Sequence, residues 1–137
     1  KFLKKRIKNS VVVDGDTVRK YISFDLDYSK SSRTIQIKRM YGIGKIIIDS
    51  NKFPILSTVY FNKNLKEKCK NYNIIPIKVE RLNFIKIKKN HKTYKNKKDV
   101  VGKDIFYSNF KTAIIKNDNS KQFIKNNKIL KSLIDNN

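Results

Sequence analysis

Alternation of apolar and polar residues runs through much of the first fifty positions, and it is the pattern of half-buried β-strands. In "YISFDLDYS" every second residue from Ile22 to Tyr28 is apolar. The segment "RTIQIKR" alternates in the same way, and "YGIGKIIIDS" is an apolar run interrupted by glycines. In "VVVDGDTV" the pair Asp14-Gly15 lies between β-branched residues, which is a hairpin-turn signal. The sequence therefore predicts a β-rich region over residues 11–50.

The following residues predict a small sheet with one short helix. Ser57 is a candidate N-cap for that helix. "LKEKCKNYN" is polar and rich in Asn, which favours a basic loop. "NIIPIKVER" and "NFIKIKKN" alternate as two strands, and "KDVVGKDIF" predicts a third, which ends at Gly102. The predicted fold class is thus α+β, with a small antiparallel or mixed sheet.

The end of the chain favours either an amphipathic helix or a tail that orders only on a partner. Phe123, Leu130, Leu133 and Ile134 have spacings that suit one apolar helix face. At 137 residues the chain is of single-domain size. We divide it into a β-rich N-terminal extension (1–51), a core (52–112) and a basic C-terminal tail (113–137).

The net charge of the chain indicates its function more strongly than any motif does. Lys and Arg number 33 and Asp and Glu 11, which gives a net charge of +22. So large an excess opposes compaction and calls for a polyanion, most commonly nucleic acid. The single Cys excludes an intramolecular disulfide, and no apolar run approaches the ~18 residues of a membrane-spanning helix.

Catalytic and metal motifs are weak. Asp14 and Asp16 form a candidate magnesium pair, but a hairpin turn uses the same residues and needs no further ligand. His91 and Cys69 are each the sole residue of their type, too few for a zinc site. "YGIGK", residues 41–45, resembles part of a phosphate-binding loop but lacks its full spacing. The sequence therefore predicts a non-enzyme with no catalytic residue, metal or cofactor.

A resemblance to a known family supports nucleic-acid binding. "LKEKCKNYNIIP" resembles a signature of the small-subunit ribosomal protein S-nineteen family. "KFP" before it, and "NHKTY" and "DVVG" after it, follow in the order of that family. Phe110 and Thr112 are similar to its closing residues. The resemblance covers about residues 52–112, and "MYGIGK" resembles the neighbouring S-thirteen family.

The resemblance implies a structural, rRNA-binding protein of the small ribosomal subunit, of organellar type. Its partners would be small-subunit rRNA and an S-thirteen-like head protein, with no membrane and no small-molecule substrate. The mitochondrial matrix is the expected location, with another organelle or the cytoplasm also compatible. A free-standing nucleic-acid-binding module and an S-thirteen-like protein are the alternatives. The expected rRNA-binding residues are Lys52, Lys66, Lys70, Asn71, Arg81, Lys86, Lys88, Lys89, Asn90, His91, Lys92, Tyr94, Lys103 and Lys111.

Overall fold

The computed structural model of the protein describes residues 2–81, 98–105, 112–117 and 127–135. The expected mixed α+β class is confirmed: small parallel sheets and several helices occupy these ranges. No helix in the described ranges is both long and apolar enough to cross a membrane.

The first part of the chain is a compact α/β arrangement. A short helix leads into the first strand, and two helices connect that strand to the second. The elements are α1 (Phe2–Arg6), β1 (Ser10–Asp14), α2 (Gly15–Tyr21), α3 (Lys30–Asp49) and β2 (Phe53–Ser57). Strands β1 and β2 pair in parallel, with Ser10 opposite Phe53 and Asp14 opposite Ser57.

The second part contains another parallel pair. The elements are α4 (Lys63–Cys69), a 3₁₀ turn (Lys70–Tyr72), β3 (Ile77–Arg81), β4 (Ala113–Asn117) and α5 (Lys128–Asp135). Strands β3 and β4 pair in parallel from Ile77 opposite Ala113 to Arg81 opposite Asn117. Both pairs are parallel, so the prediction of an antiparallel sheet is wrong for the described strands.

The prediction of strands over residues 33–50 is also wrong, because this stretch is helix α3. Its buried residues are Gln36, Ile37, Met40, Tyr41 and Gly44, which recur at helical spacings of three and four. The apparent alternation came from isoleucines, some of which lie on the exposed side of the helix. Burial of one helical face outweighed the β-propensity of these residues.

The predicted hairpin at Asp14-Gly15 is a strand-to-helix junction instead. The Asp14 carboxylate accepts hydrogen bonds from the backbone N–H groups of Asp16 (3.1 Å) and Thr17 (3.2 Å), so it caps α2. Ser57, predicted to cap a helix, is the last residue of strand β2. The alternating segment after Tyr21 is a non-strand connection between α2 and α3.

Of the predictions for the second half of the chain, some are confirmed and others are wrong. The predicted basic loop, residues 65–73, consists mainly of the end of helix α4 and the 3₁₀ turn. The side chain of Asn62 caps α4 and accepts from Leu65 N–H at 2.9 Å. A strand in "NIIPIKVER" is confirmed as β3, and a C-terminal helix is confirmed over Lys128–Asp135. The stretch 99–105 is a turn with one bridge, Val101 to Ile105, rather than a strand. The predicted strand in "NFIKIKKN" and the predicted helix-face residue Phe123 lie outside the described residues.

One hydrophobic core joins the first α/β part to α4 and to the 99–105 turn. Helix α3 contributes Ile37, Met40 and Tyr41, while Leu65 and Ile105 contribute from the later elements. Asparagines Asn9 and Asn51 adopt left-handed conformations immediately before β1 and at the end of α3 (φ 55° and 56°). Asn tolerates this conformation better than most residues, so it provides sharp helix-to-strand turns.

Candidate active site

The carboxyl ends of β1 and β2 form the most distinctive polar region of the described structure. Because the strands are parallel and in register, Asp14 and Ser57 finish at the same edge. Crevices outside such carboxyl edges are the usual ligand sites of α/β proteins. Gly15 allows a close approach here, since a Cβ at this position would lie only 3.0 Å from the carbonyl oxygen of Ser57.

Helix α3 places Gln36 against this edge. Its Nε2 donates to the carbonyl oxygen of Gly15 at 2.6 Å, which orients the side-chain amide. Its Oε1 is buried and has no hydrogen-bond partner in the described structure. A buried acceptor without a partner is costly, and a ligand N–H or O–H would satisfy it. Gln36 is therefore a candidate ligand contact at the strand ends.

Two arginines flank an exposed tyrosine, and one of them lies one helical turn from Gln36 on α3. The guanidinium carbon of Arg19, on α2, lies 4.5 Å from the Tyr28 ring centroid. That of Arg33, on α3, lies 5.4 Å from the same centroid. Arg33 and Gln36 are three residues apart, which places them on the same face of α3. Tyr28 and the two arginines are called the arginine–tyrosine cluster below.

The hydrogen bonds of the cluster go to carbonyl oxygens. Arg19 Nη1 donates to the carbonyls of Leu26 (3.0 Å) and Asp27 (2.7 Å). Arg33 donates to the carbonyls of Tyr28 (2.8 Å) and Asp99 (2.9 Å). Neither guanidinium forms a salt bridge within the described ranges. The guanidiniums are therefore held by carbonyl oxygens, while Asp27 and Asp99 interact with their charges without forming a salt bridge within the described ranges.

Electrostatics within the cluster agree with this geometry. Burial, followed by the charge of Arg19, lowers the pKa of Arg33. Arginine nevertheless stays protonated in proteins, so the cost of holding two cations together remains in the folded state. A bound anion would relieve that cost. Arginine forks suit phosphate and similar oxyanions, and the exposed ring of Tyr28 offers a surface for stacking.

Nearby carboxylates accept hydrogen bonds from backbone N–H groups and from serine hydroxyls. Asp14 caps α2, as described above, and hydrogen bonds from Ser32 and Ser29 lower the pKa of Asp27 to about 2. Asp16 lies exposed in the first turn of α2. No group of three or more His, Cys, Asp or Glu side chains suited to a metal occurs among the described residues.

The "YGIGK" segment has no phosphate-binding geometry. Residues 41–45 lie inside helix α3, where Tyr41 and Gly44 are buried. Gly44 faces the side chain of Leu56, to which a Cβ there would come within 3.5 Å. The backbone N–H groups of a helix interior are engaged in the helix itself. This segment is therefore structural.

The residues expected to bind rRNA lie on separate elements. Lys52 precedes β2, Lys66 is in α4, Lys70 and Asn71 are in the 3₁₀ turn, Arg81 ends β3, and Lys103 is in the 99–105 turn. Outside the described residues lie Lys86, Lys88, Lys89, Asn90, His91, Lys92, Tyr94 and Lys111. None of the predicted residues belongs to the arginine–tyrosine cluster or to the Gln36 position.

Sequence reasoning missed Arg19, Tyr28, Arg33 and Gln36, although one signal was available. The chain uses Lys for most of its positive charge, yet three arginines (19, 33 and 39) fall within a short stretch. Arginine provides a planar fork that lysine lacks, so its selective use indicates positions where geometry matters. The misassigned strands hid the fact that helical spacing brings Arg33 and Gln36 together.

Taken together, the parallel strand pair, the Gln36 contact at its carboxyl edge and the nearby arginine–tyrosine cluster define an α/β protein with polar and cationic side chains beyond the ends of its first two strands. A family model for adenylylsulphate kinase matches residues 1–117. The chain therefore belongs to the adenylylsulphate kinase family. A search of curated proteins finds no match.

Family membership corrects the functional predictions. The ribosomal S-nineteen resemblance is wrong, because the matching family is one of kinases and spans both the predicted extension and the predicted core. The prediction of a non-enzyme with rRNA and S-thirteen-like partners and no small-molecule substrate is likewise wrong. The alternative of a free-standing nucleic-acid-binding module fails for the same reason. The short quoted resemblances were fragments of Lys-rich and Ile-rich sequence, which this composition supplies often.

Proposed function

We propose that the chain binds adenylylsulphate, the acceptor substrate of a kinase with a phosphate-binding-loop fold, at the carboxyl edge of β1 and β2. The observation that carries this proposal is the arginine–tyrosine cluster. Its two guanidiniums are held by carbonyls and form no salt bridge with any described residue, and they lie beside an exposed aromatic ring. Adenylylsulphate combines a purine with a phosphate–sulphate anion, so one molecule presents both chemistries that the cluster suits.

Gln36 adds selectivity to this arrangement. Its Oε1 accepts and its Nε2 is already committed to the carbonyl of Gly15, so the position favours a ligand that presents a hydroxyl or amino donor. The nucleoside part of adenylylsulphate carries such donors, whereas inorganic sulphate does not. We therefore expect the intact nucleotide to bind better than either of its parts alone.

The residues of this chain do not fit a binding site for the phosphoryl-donor nucleotide. The 137 residues contain no G-x-x-x-x-G-K-[ST] sequence, and the nearest fragment is helical, as shown above. The residues Arg19, Tyr28, Arg33 and Gln36 recognise the acceptor only.

Isothermal titration calorimetry with adenylylsulphate tests the proposal. Charge-assisted hydrogen bonds contribute about 1.5–3 kcal/mol each, so Arg33→Gln should weaken binding roughly ten- to a hundredfold. Lys38→Gln removes the same charge from an exposed position of α3 and should change affinity little. Adenosine and inorganic sulphate should each bind more weakly than adenylylsulphate.

The charge-matched control matters because a chain of +22 attracts any anion. Equal losses in Arg33→Gln and Lys38→Gln would show that the binding is unspecific attraction. Equal affinity for adenylylsulphate and inorganic sulphate would also refute the proposed recognition of the nucleoside.

A further inference from the structure

The turn over residues 99–105 contacts the candidate site from a distant part of the chain. The carbonyl oxygen of Asp99 accepts from Arg33 Nη2 at 2.9 Å, and the carbonyl oxygen of Tyr28 accepts from Arg33 Nε at 2.8 Å. These two donors belong to one planar guanidinium, so holding them also fixes the direction of its remaining N–H groups. The position of the Asp99 carbonyl therefore helps to determine how Arg33 presents its fork.

Hydrogen bonds close this turn on itself. The carbonyl oxygen of Val100 accepts from the N–H groups of Lys103 (3.1 Å), Asp104 (2.9 Å) and Ile105 (3.2 Å). The N–H group of Val100 donates in turn to the carboxylate of Asp104 at 3.0 Å. Both backbone polar groups of the residue after Asp99 are thus engaged, and the second contact depends on one side chain.

Packing anchors the turn to the hydrophobic core. Ile105 is buried in the core, and Val101 packs against it. Asp99 adopts a left-handed conformation (φ 56°), which Asp and Asn tolerate better than most residues. The turn is therefore anchored at its far end, and the Asp104 carboxylate links that end to the backbone beside Asp99.

A carboxylate that closes a turn ordinarily affects stability alone, but this turn also holds a half-buried cation. Burial, followed by the charge of Arg19, lowers the pKa of Arg33, so the charged guanidinium is held where its charge is costly. Without the Asp99 carbonyl, the long side chain of Arg33 would regain rotamer freedom. A ligand would then have to remove that freedom on binding, which lowers affinity.

We propose that Asp104 is a positioning residue for the recognition of adenylylsulphate, because its carboxylate closes the turn that holds the Asp99 carbonyl against Arg33. The inference rests on the proposed function and extends it to a turn whose contact lies 66 positions after Arg33 along the chain. Asp104 acts through Arg33, so it preorganises the site rather than touching the nucleotide.

Isothermal titration calorimetry on the full chain measures the effect. Loss of one turn-closing hydrogen bond should weaken adenylylsulphate binding about three- to tenfold in Asp104→Ala. Asp104→Asn keeps an oxygen that can accept from Val100 N–H, so it should bind within about twofold of the parent. Adenosine lacks the anion that Arg33 recognises, and it should bind Asp104→Ala as it binds the parent.

Asp49→Ala is the matched control for charge. Asp49 pairs with Lys45 at 2.7 Å at the other end of α3, and its loss changes the net charge as Asp104→Ala does. Removing either carboxylate makes the chain more positive and so strengthens unspecific attraction for anions. Weaker binding in Asp104→Ala and unchanged binding in Asp49→Ala would therefore not come from net charge.

A double-mutant cycle separates positioning from general stability. If Asp104 acts through Arg33, then Asp104→Ala should cause no further loss of affinity in the Arg33→Gln background. Additive losses would overturn the inference, because they would mean that Asp104 affects binding by another route. Equal weakening of adenosine and adenylylsulphate by Asp104→Ala would also overturn it, since that is the result of a general structural defect.

NMR without nucleotide makes the inference testable apart from the proposed function. The Nε–Hε resonance of Arg33 should move in Asp104→Ala, return in Asp104→Asn and stay in place in Asp49→Ala. An unmoved resonance in Asp104→Ala would overturn the inference even if the parent binds adenylylsulphate. A parent that does not bind adenylylsulphate would refute the proposed function and the role in recognition, whereas the resonance would still decide whether Asp104 positions Arg33.

Discussion

The two parallel strand pairs have equal length but different surroundings. Strands β1 and β2 are covered by α3, and Val13 is buried. In the β3–β4 pair Val79 remains 63% exposed, although its partner Ile115 is buried. Parallel sheets normally have both faces covered, so β1–β2 is packed more like an ordinary parallel sheet than β3–β4 is.

The difference explains where the candidate site lies. Helix α3, which covers β1–β2, places Gln36 against Gly15 at its carboxyl edge, and helices α2 and α3 place Arg19 and Arg33 beside Tyr28. At the matching edge of β3–β4, the described residues end at Arg81 and Asn117. The position of α2 and α3 therefore determines both the burial of β1–β2 and the location of the candidate site.

The largest expected effect is on stability. Met40→Ala, in α3, should lower the free energy of unfolding by about 2–5 kcal/mol, because it leaves a cavity in the core. Val79→Ala should cost less than about 1 kcal/mol, because that side chain is exposed. Urea denaturation of both variants measures the contrast. Equal destabilisation would mean that Val79 is packed as tightly as the core residue Met40.

A smaller effect is expected at the junction of β1 and α2. Gly15→Ala should destabilise by about 1–3 kcal/mol, because its Cβ would press on the Ser57 carbonyl. Gly42→Ala is the matched control in α3. Its Cβ would meet nothing within 4 Å, so helix propensity should stabilise the protein by about 0.5–1 kcal/mol. Thermal melts that move both variants in the same direction would contradict this account.

The smallest effect is expected on the pH dependence of thermal stability, through Asp27 beside the arginine–tyrosine cluster. The pKa of Asp27 is lowered from 3.8 to about 2 by hydrogen bonds from Ser32 and Ser29. A lowered carboxyl pKa contributes stability above the unfolded value and loses it as pH falls through the folded value. Asp27→Asn should therefore melt below the parent at neutral pH, with the gap closing between about pH 4 and pH 2. A gap that is constant over this range would exclude the proposed hydrogen-bonded carboxylate.

Part of the fold could be predicted from local sequence. The alternation in "NIIPIKVER" predicts β3. The spacing of Leu130, Leu133 and Ile134 allows α5 as one of two alternatives, beside a tail that orders only on a partner. Helix α3 was missed, since its many isoleucines have high β-propensity and its two glycines suggest turns. The contact of Gly44 with Leu56 and Pro54 is a tertiary fact that no local pattern contains.

The site was harder to predict than the fold. Asp14 can cap a helix or occupy a hairpin turn, and its sequence neighbours favour both. The contact of the Gln36 amide with Gly15 is a tertiary feature that the local sequence does not contain. Most of the positive charge is on lysines, so the few arginines do not stand out in the composition. The mitochondrial location and the domain boundaries stay predictions.

The most direct test of the account compares the two strand pairs within one experiment. Amide resonances of the isotope-labelled chain are followed by NMR during titration with adenylylsulphate. We predict that the largest shift changes fall at Gly15, at Ser57–Thr58 and in the stretch 19–36, while residues 77–81 and 113–117 change little. Changes centred on β3 and β4, or spread evenly over the lysines, would contradict a site at the end of β1 and β2.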